Sequence, residues 1–444
     1  MNEEASALGF NRHIREYWII VYFLLKQESA FAIDSIDTYK IMLGLFKPEK
    51  ITFKKPDEDV QQHKYRNNVA VRSEPIDYNI RGFIKPGWGF VRDIFRDNFV
   101  QERDLGASVA AYHQGSLVFE LGGGWFDQSQ TKPYDINTLQ LVFSTTKGLV
   151  AAAVALAVQQ GLLDYSALVT KYWPEYGQNG KENTKVSDIL SHRAGLPDIN
   201  EPFETYMNWT VMIHKLEKMA PSWPPGSAHG YHALTYGWLA GELIRRVDPK
   251  KRSLGQFVKE EISDLINIDF SIGLPENREH LVSPLVLGKA MINGANESDL
   301  IPLTQFNDPR THRAEIPAAN GIATARSVAR LYSGLIGDLD NGGFKRILNE
   351  DTLKLATRSN TLKDEIDLSM QIKNSFAMGF LLYDEILPQF GANSFGHGGF
   401  GGSIGFCAPS KNFSFAFAMN RLDVESVNDQ RIGPMLNRIA EYLN

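Results

Sequence analysis

Two side chains have the types and the spacing of a nucleophile and its base. Ser144 and Lys147 lie three residues apart in Ser144-Thr145-Thr146-Lys147, just before the apolar segment Leu149–Val158. On a helix, residues three apart share a face, with Cβ atoms roughly 5–6 Å apart. A serine near the positive end of a helix dipole, beside an amine that burial can deprotonate, predicts nucleophilic acyl chemistry.

The element that must position this pair is predicted to be a helix buried on every side. Leu149–Val158 contains only small or branched apolar residues and no polar stripe. We expect Ser144 or Thr145 to cap its start and Gly161 to supply a left-handed stop. On this local pattern alone, a plain capping role for Ser144 stays open.

The chain contains a second copy of the same spacing, so the motif alone is weak evidence. Ser129-Gln130-Thr131-Lys132 also places a serine three residues before a lysine. Pro133 follows it within a polar stretch that lacks helical periodicity, which predicts a surface loop. Context therefore favours Ser144.

Composition excludes several classes of protein. The 444 residues carry a net charge of −6, which gives no reason to expect nucleic acid or an anionic membrane as partner. The single cysteine, Cys407, excludes an internal disulfide and a thiolate zinc site. It favours a reducing, cytoplasmic compartment, with secreted and organellar locations left open. We expect no cofactor, no metal and a small-molecule substrate; the oligomeric state is undetermined.

The N-terminal region has no motif that indicates a function. The apolar stretch Tyr17–Leu25 is too short to span a bilayer. Ala30-Phe31-Ala32 resembles a signal-peptide cleavage site, but Lys26 and Glu28 argue against one. We expect no stable membrane insertion and treat residues 1–80 as an extension of unknown role.

Strand signals lie near both ends of the remaining chain. Ala107–Tyr112 with Leu117–Leu121, and Ser403–Ala408 with Phe413–Met419, each flank a short turn, which predicts antiparallel hairpins. A further strand is expected at 376–383. Helices are predicted from apolar residues at helical spacing in the following segments: 90–99, 186–190, 233–247, 328–336 and 432–443.

These elements predict an α+β fold, with one antiparallel sheet built from both ends of the chain and flanked by helices. The expected hydrolase domain spans 81–440. Its sheet part is predicted at about 81–160 and 313–444, with a mostly helical domain inserted at about 161–312.

Three motifs, in order, resemble those of the serine β-lactamase and penicillin-binding-protein superfamily. They are Ser144-Thr145-Thr146-Lys147, Tyr231-His232-Ala233 and His397-Gly398-Gly399. The flanking segments at 106–124 and 186–197 are similar to the class C β-lactamase branch, as is that at 317–330. That branch includes family VIII carboxylesterases and animal β-lactamase-like proteins.

The resemblance implies a role for each matching position. Ser144 would be the nucleophile, Lys147 would take or share its proton, and Tyr231 would relay protons as base and later acid. The backbone N–H groups of Ser144 and Phe400 would form the oxyanion hole. The substrate would lie against the positions named next: Ala233, His397, Gly398 and Gly399. His397 would offer it a hydrogen-bond donor.

Two departures from the family pattern bear on the substrate. Ala233 stands where β-lactamases carry an asparagine, and His397 replaces a lysine that would hold a lactam carboxylate. Both changes predict an esterase that forms an acyl-enzyme on Ser144, with weak or no β-lactamase activity. The alternative is an inert scaffold or a self-assembling structural protein, in which residues 1–80 would drive the assembly.

Other candidate groups are given weaker roles. Gly401-Gly402-Ser403-Ile404-Gly405 has the letters of a nucleophile elbow, but a strand rather than a helix is expected to follow Ser403. His113 and His192 are interpreted as a turn residue and a helix-end residue. His229 and His232 lack the carboxylate or cysteine partners of a metal site.

Overall fold

The computed structural model describes residues 77–294, 303–423 and 427–444. The predicted apolar stretch at 17–25 and nearly all of the extension 1–80 lie outside these residues. Residues 78–444 belong to one compact unit. The boundaries expected for a helical insert, 161–312, stay a prediction.

A seven-stranded antiparallel sheet is formed by strands from both ends of this unit, which confirms the predicted α+β fold. Its spatial order is β1-β3-β2-β12-β11-β10-β9. The strands of the whole structure are β1 Arg81–Ile84, β2 Gly106–His113, β3 Ser116–Gly124, β4 Leu139–Leu141, β5 Phe270–Ser271, β6 Val282–Ser283, β7 Val286–Leu287, β8 Ile322–Ala323, β9 Leu381–Leu382, β10 Phe395–Gly398, β11 Ile404–Ala408, β12 Phe413–Met419 and β13 Arg421–Leu422.

Helices cover both faces of the large sheet and fill the middle of the chain. They are α1 Phe90–Val100, α2 Thr146–Gln159, α3 Val186–Leu190, α4 Phe203–Tyr206, α5 Trp209–Lys218, α6 Thr235–Val247, α7 Leu254–Val258, α8 Lys289–Gly294, α9 Pro309–Arg313, α10 Ala325–Ile336, α11 Glu350–Ala356 and α12 Val427–Leu443. A smaller sheet, in the order β5-β8-β4-β6, holds the strand that leads into α2.

The alternation of residues in β12 explains why the sheet is covered twice. Phe413 and Phe417 point to one face, where their rings lie near Trp88 and Phe95. Ser414 points to the other face, where its hydroxyl donates to the Ala329 carbonyl of α10 at 2.8 Å. Large side chains on one face and small ones on the other let α10 approach closely, so every residue of β12 is buried.

Helix α2 is buried as predicted, with residues 146–157 all buried and Gly161 in the left-handed region at φ +72°. One expectation was wrong. The segment 376–383 is a tight hairpin rather than one strand, because Gly379 turns the chain at φ +93° and the Ala377 N–H donates to the Phe380 carbonyl. Only Leu381–Leu382 is a strand.

Candidate active site

The turn between β4 and α2 presents Ser144 in a constrained conformation. Phe143 adopts φ +44°, which is unfavourable for a residue with a Cβ, and a 3₁₀ turn spans Phe143–Thr145. The Phe143 ring packs against Phe306 and Phe400, with centroids 5.1 and 5.5 Å apart. Packing of this ring therefore offsets the backbone strain.

The prediction that Ser144 or Thr145 caps α2 was wrong. Thr145 occupies the cap position with helical dihedral angles, and no side chain caps the helix. The preceding 3₁₀ turn continues directly into α2, so no extended residue is available to cap it. The Ser144 hydroxyl is thereby left for Lys147.

Backbone contacts to Gly321, just before β8, brace the same turn. The Thr146 hydroxyl donates to the Phe143 carbonyl at 2.5 Å and accepts from the Gly321 N–H at 2.9 Å. The Gly321 carbonyl accepts from the Val142 N–H at 2.9 Å. A Cβ on Gly321 would lie 2.4 Å from the Thr146 hydroxyl oxygen, so glycine is required here.

Lys147 is inaccessible to solvent and its amine has three oxygen neighbours. Nζ lies 3.1 Å from Ser144 Oγ, 2.8 Å from the Ala233 carbonyl and 2.9 Å from the Ala318 carbonyl. Burial lowers the pKa of Lys147 well below its ordinary value. A neutral amine has two N–H donors, and the two carbonyls accept both. Its lone pair is then left for the Ser144 hydroxyl proton.

Tyr231 lies across this pair, and its ring is held by aromatic neighbours. The Lys147 amine is 4.8 Å from the centroid of the Tyr231 ring. His192 and Phe376 lie 4.9 and 5.9 Å away, centroid to centroid. Burial raises the pKa of Tyr231. The phenol therefore keeps its proton at neutral pH. Its oxygen is buried and has no hydrogen-bond partner among the residues that the structure describes.

His397 lies beside Tyr231, with ring centroids 6.1 Å apart, but its ring cannot donate as predicted. Burial lowers its pKa to about 3, so the ring is neutral. Nδ1 lies 2.7 Å from the Gly398 carbonyl, which only accepts, so the proton is assigned to Nδ1. Nε2 is then an acceptor, and within the described ranges it is buried without a hydrogen-bond partner.

The two predicted oxyanion donors lie at the starts of two 3₁₀ turns that pack together. Ser144 lies in the turn Phe143–Thr145, and Phe400 begins the turn Phe400–Gly402. The first N–H groups of such turns have no partner within the turn. A Cβ on Gly399 would lie 2.2 Å from the Val142 carbonyl oxygen, so only glycine permits this contact. Gly398 has no comparable constraint, since a Cβ on it would meet nothing closer than 3.7 Å.

Most of the weaker candidates lie elsewhere or serve packing. Ser129 through Lys132 are all exposed. Ser403 is followed directly by strand β11, so the nucleophile elbow is absent. His229 and His232 bond to Asn374 and to the Leu196 N–H, respectively. In the described part of the chain, no group of three or more His, Cys, Asp or Glu side chains is arranged to hold a metal ion.

Sequence reasoning missed three contributors to the site. The Ala318 carbonyl binds the lysine through its backbone, for which a sequence carries no signal. Asp367 accepts a hydrogen bond from the backbone N–H of Tyr231, although 136 positions separate the two residues. His192, interpreted above as a helix-end residue, lies against Tyr231, and its Nδ1 accepts from the His232 N–H at 3.0 Å.

Comparison with known proteins agrees with this geometry. The β-lactamase family matches residues 91–433. The chain belongs to the β-lactamase family. It is 31% identical to the esterase/β-lactamase LipL of Mycobacterium tuberculosis over 366 residues, which cover 77% of this chain and 83% of that one.

Two crystal structures are similar over 82% of the chain. A family VIII carboxylesterase has a TM-score of 0.73 at 32% identity and is covered completely. A penicillin-binding-protein homologue from Caulobacter crescentus has a TM-score of 0.70 at 34% identity and is also covered completely. This β-lactamase-family chain is therefore a serine hydrolase, related to esterases as well as to β-lactamases. Among its described helices, none has the length and apolarity needed to cross a bilayer.

Proposed function

We propose that this serine hydrolase cleaves carboxylic esters through a covalent acyl-enzyme on Ser144, with weak or no β-lactamase activity. The observation that carries the proposal is the environment of the Lys147 amine. Two backbone carbonyls occupy its donor positions and Ser144 Oγ lies 3.1 Å away. This arrangement supports Lys147 as the base that activates the serine.

Acylation begins with transfer of the Ser144 proton to Lys147 as Oγ attacks the acyl carbon. The oxygen of the tetrahedral intermediate carries the negative charge, and the N–H groups of Ser144 and Phe400 stabilise it. When the ester C–O bond breaks, the alkoxide takes a proton and leaves as an alcohol. The neutral phenol of Tyr231 is placed to pass that proton from Lys147 to the leaving oxygen.

Deacylation reverses these roles with water in place of the alcohol. Water loses a proton through Tyr231 to Lys147 as its oxygen attacks the acyl carbon. Collapse of the second intermediate releases a carboxylic acid and returns the proton to Ser144. Because the pKa of Tyr231 is raised, we assign the base role to Lys147 and a relay role to Tyr231.

The charge of His397 supports esters over β-lactams. A β-lactam antibiotic carries a carboxylate, which a permanently charged lysine at this position would hold. His397 is neutral because burial lowers its pKa to about 3. Ala233 has no amide to orient such a substrate, and only its carbonyl takes part, in binding Lys147. Neutral acyl esters need neither contact.

Hydrolysis of p-nitrophenyl butyrate and nitrocefin, together with labelling by a fluorophosphonate probe, tests the proposal. Ser144→Ala should abolish labelling and lower ester hydrolysis by roughly 10⁴-fold or more. The matched control is Ser129→Ala, which removes the serine of the exposed copy, and Ser403→Ala controls for the elbow pattern. Both should label like the wild type. Labelling that survives in Ser144→Ala, or nitrocefin turnover that exceeds ester turnover, would contradict the proposal.

A further inference from the structure

We infer that Asp367 is a positioning residue for Tyr231 and that it fixes the tyrosine from its backbone end. The inference rests on the proposed role of Tyr231 as proton relay. Both carboxylate oxygens of Asp367 accept from the Tyr231 N–H, at 3.0 and 3.1 Å. The Asp367 side chain is completely buried.

Three further donors converge on the same carboxylate. The backbone N–H groups of Ser369 and Met370 each lie 2.8 Å from Oδ1, and Asn374 Nδ2 lies 3.0 Å from Oδ2. A buried charge is unfavourable unless hydrogen bonds satisfy it. Four donors satisfy the Asp367 carboxylate, and one of them is the backbone N–H of Tyr231, the proposed relay.

Asp367 belongs to a segment, residues 362–374, that clamps the turn before α6. We call this segment the clasp. The Leu368 N–H donates to the His229 carbonyl at 2.9 Å, and Asn374 Oδ1 lies 2.8 Å from His229 Nε2. Glu365 acts through Arg193, which follows α3: the two bind at 2.7 Å, and the Arg193 guanidinium donates to the Gly226 carbonyl, ahead of α6, at 2.8 Å. The clasp therefore holds the turn at several points, with Asp367 in direct contact with Tyr231.

The far end of Tyr231 explains why the near end must be fixed. Its hydroxyl has no hydrogen-bond partner among the described residues, as expected for a group that must bond a reacting oxygen. His192 and Phe376 restrain the plane of the ring but do not fix its position along that plane. The hydrogen bond from the Tyr231 N–H to Asp367 supplies the missing restraint. An error of about 1 Å at a reacting group lowers a rate roughly 10²-fold.

A double-mutant cycle between Asp367→Asn and Tyr231→Phe tests this inference on ester hydrolysis. Asparagine keeps the size of aspartate but loses its charge and turns an NH₂ group towards N–H donors. We expect Asp367→Asn to lower kcat about 10- to 100-fold, with KM changed less than about threefold. In the Tyr231→Phe background, the same substitution should lower kcat by less than about twofold.

Thermal stability separates positioning from general damage. Asp367→Asn should lower Tm in both backgrounds, since the buried donors lose their partner whether or not the hydroxyl is present. The control is Asp248→Asn at the far end of α6, a 13-residue helix about 20 Å long. Asp248 is also buried and accepts from Arg252. The Asp248→Asn variant should have a lower Tm, while its kcat stays within about twofold of the wild-type value.

If Asp367→Asn does not fold, Asn374→Ala replaces it in the cycle. This change removes one donor and the link to His229 but leaves the three backbone donors in place, so a three- to tenfold loss of kcat is expected. Multiplicative losses of kcat in the cycle would overturn the positioning role while leaving the acyl-enzyme proposal intact. Wild-type hydrolysis by Ser144→Ala and Tyr231→Phe would overturn both.

Discussion

The two copies of the serine–lysine motif are a comparison within one molecule. In the exposed copy, the Ser129 hydroxyl donates to Asp127 at 2.5 Å and the Lys132 amine lies 3.6 Å from the centroid of the Phe126 ring. The serine and the lysine thus have different partners. In the buried copy, the Lys147 amine lies 3.1 Å from Ser144 Oγ and is closed off from solvent.

The two copies share their spacing, so the proposed nucleophilic role of Ser144 depends on its surroundings. Water and nearby groups surround the amine of the exposed lysine. Burial removes that water from Lys147, and the Ala233 and Ala318 carbonyls fix the direction of its lone pair. The same letters in the sequence therefore have different chemistry.

Removing the buried amine should have the largest effect on activity. Lys147→Met fills a similar volume without a base, and we expect kcat/KM for p-nitrophenyl butyrate to fall by roughly 10³-fold or more. Lys132→Met makes the same change in the exposed copy and should leave kcat/KM within about twofold. Similar losses of kcat/KM in the two variants, measured by steady-state kinetics, would contradict this expectation.

Much of the fold could be predicted because local signals agreed with the tertiary structure. The uniform apolar run of α2 predicted a buried helix, and the short turns predicted the hairpins β2–β3 and β11–β12. The segment 376–383 failed because Gly379 turns inside an apolar stretch, which lacks the polar residues that usually mark a turn.

The site was predictable only where chemistry depends on side-chain type. Ser144, Lys147 and Tyr231 were found from their motifs and lie together. The Ala318 carbonyl and the strained Phe143 were not found, since backbone contacts and dihedral angles leave no mark on residue type. The donor role predicted for His397 was wrong because its tautomer is set by the neighbouring Gly398 carbonyl.

The pH dependence of activity should show the effect of burial on Lys147. In the proposed mechanism Lys147 acts only as a free amine, so kcat/KM should fall about tenfold per pH unit below its pKa and level off above it. Because burial lowers that pKa well below 10.5, the plateau should begin well below pH 10.5. A pH–rate profile of the wild type checks this expectation.

The control for this profile is His397→Gln. Burial lowers the pKa of His397 to about 3 and that of His232 to about 4, and it also lowers the pKa of His192. The rings of His397 and His232 are therefore neutral above about pH 5, so they cannot produce an acid limb there. Loss of the acid limb in His397→Gln would assign the titration to the histidine and contradict the role of Lys147.

A smaller effect is expected where β10 meets the turn that carries Ser144. Gly399→Ala would place a Cβ 2.2 Å from the Val142 carbonyl oxygen and push Phe400 away from Ser144. We expect a loss of about 1–3 kcal/mol in the free energy of unfolding and about tenfold in kcat. Gly398→Ala meets nothing closer than 3.7 Å and should leave the free energy of unfolding unchanged. Equal denaturation midpoints for the two variants would rule out the close contact.

The smallest effect should come from deleting the exposed motif altogether. The double variant Ser129→Ala, Lys132→Ala removes contacts at the surface: the hydroxyl hydrogen bonds of Ser129 with Asp127 and Thr131, the hydrogen bond from Lys132 to the His280 carbonyl, and the cation–π contact of Lys132 with Phe126. Such contacts contribute little in water, so the free energy of unfolding should change by less than about 1 kcal/mol and kcat/KM by less than about twofold. Urea denaturation and ester kinetics measure the two quantities. A large loss of activity would mean that this loop contributes to the site. It would contradict the conclusion that the exposed motif has no role in catalysis.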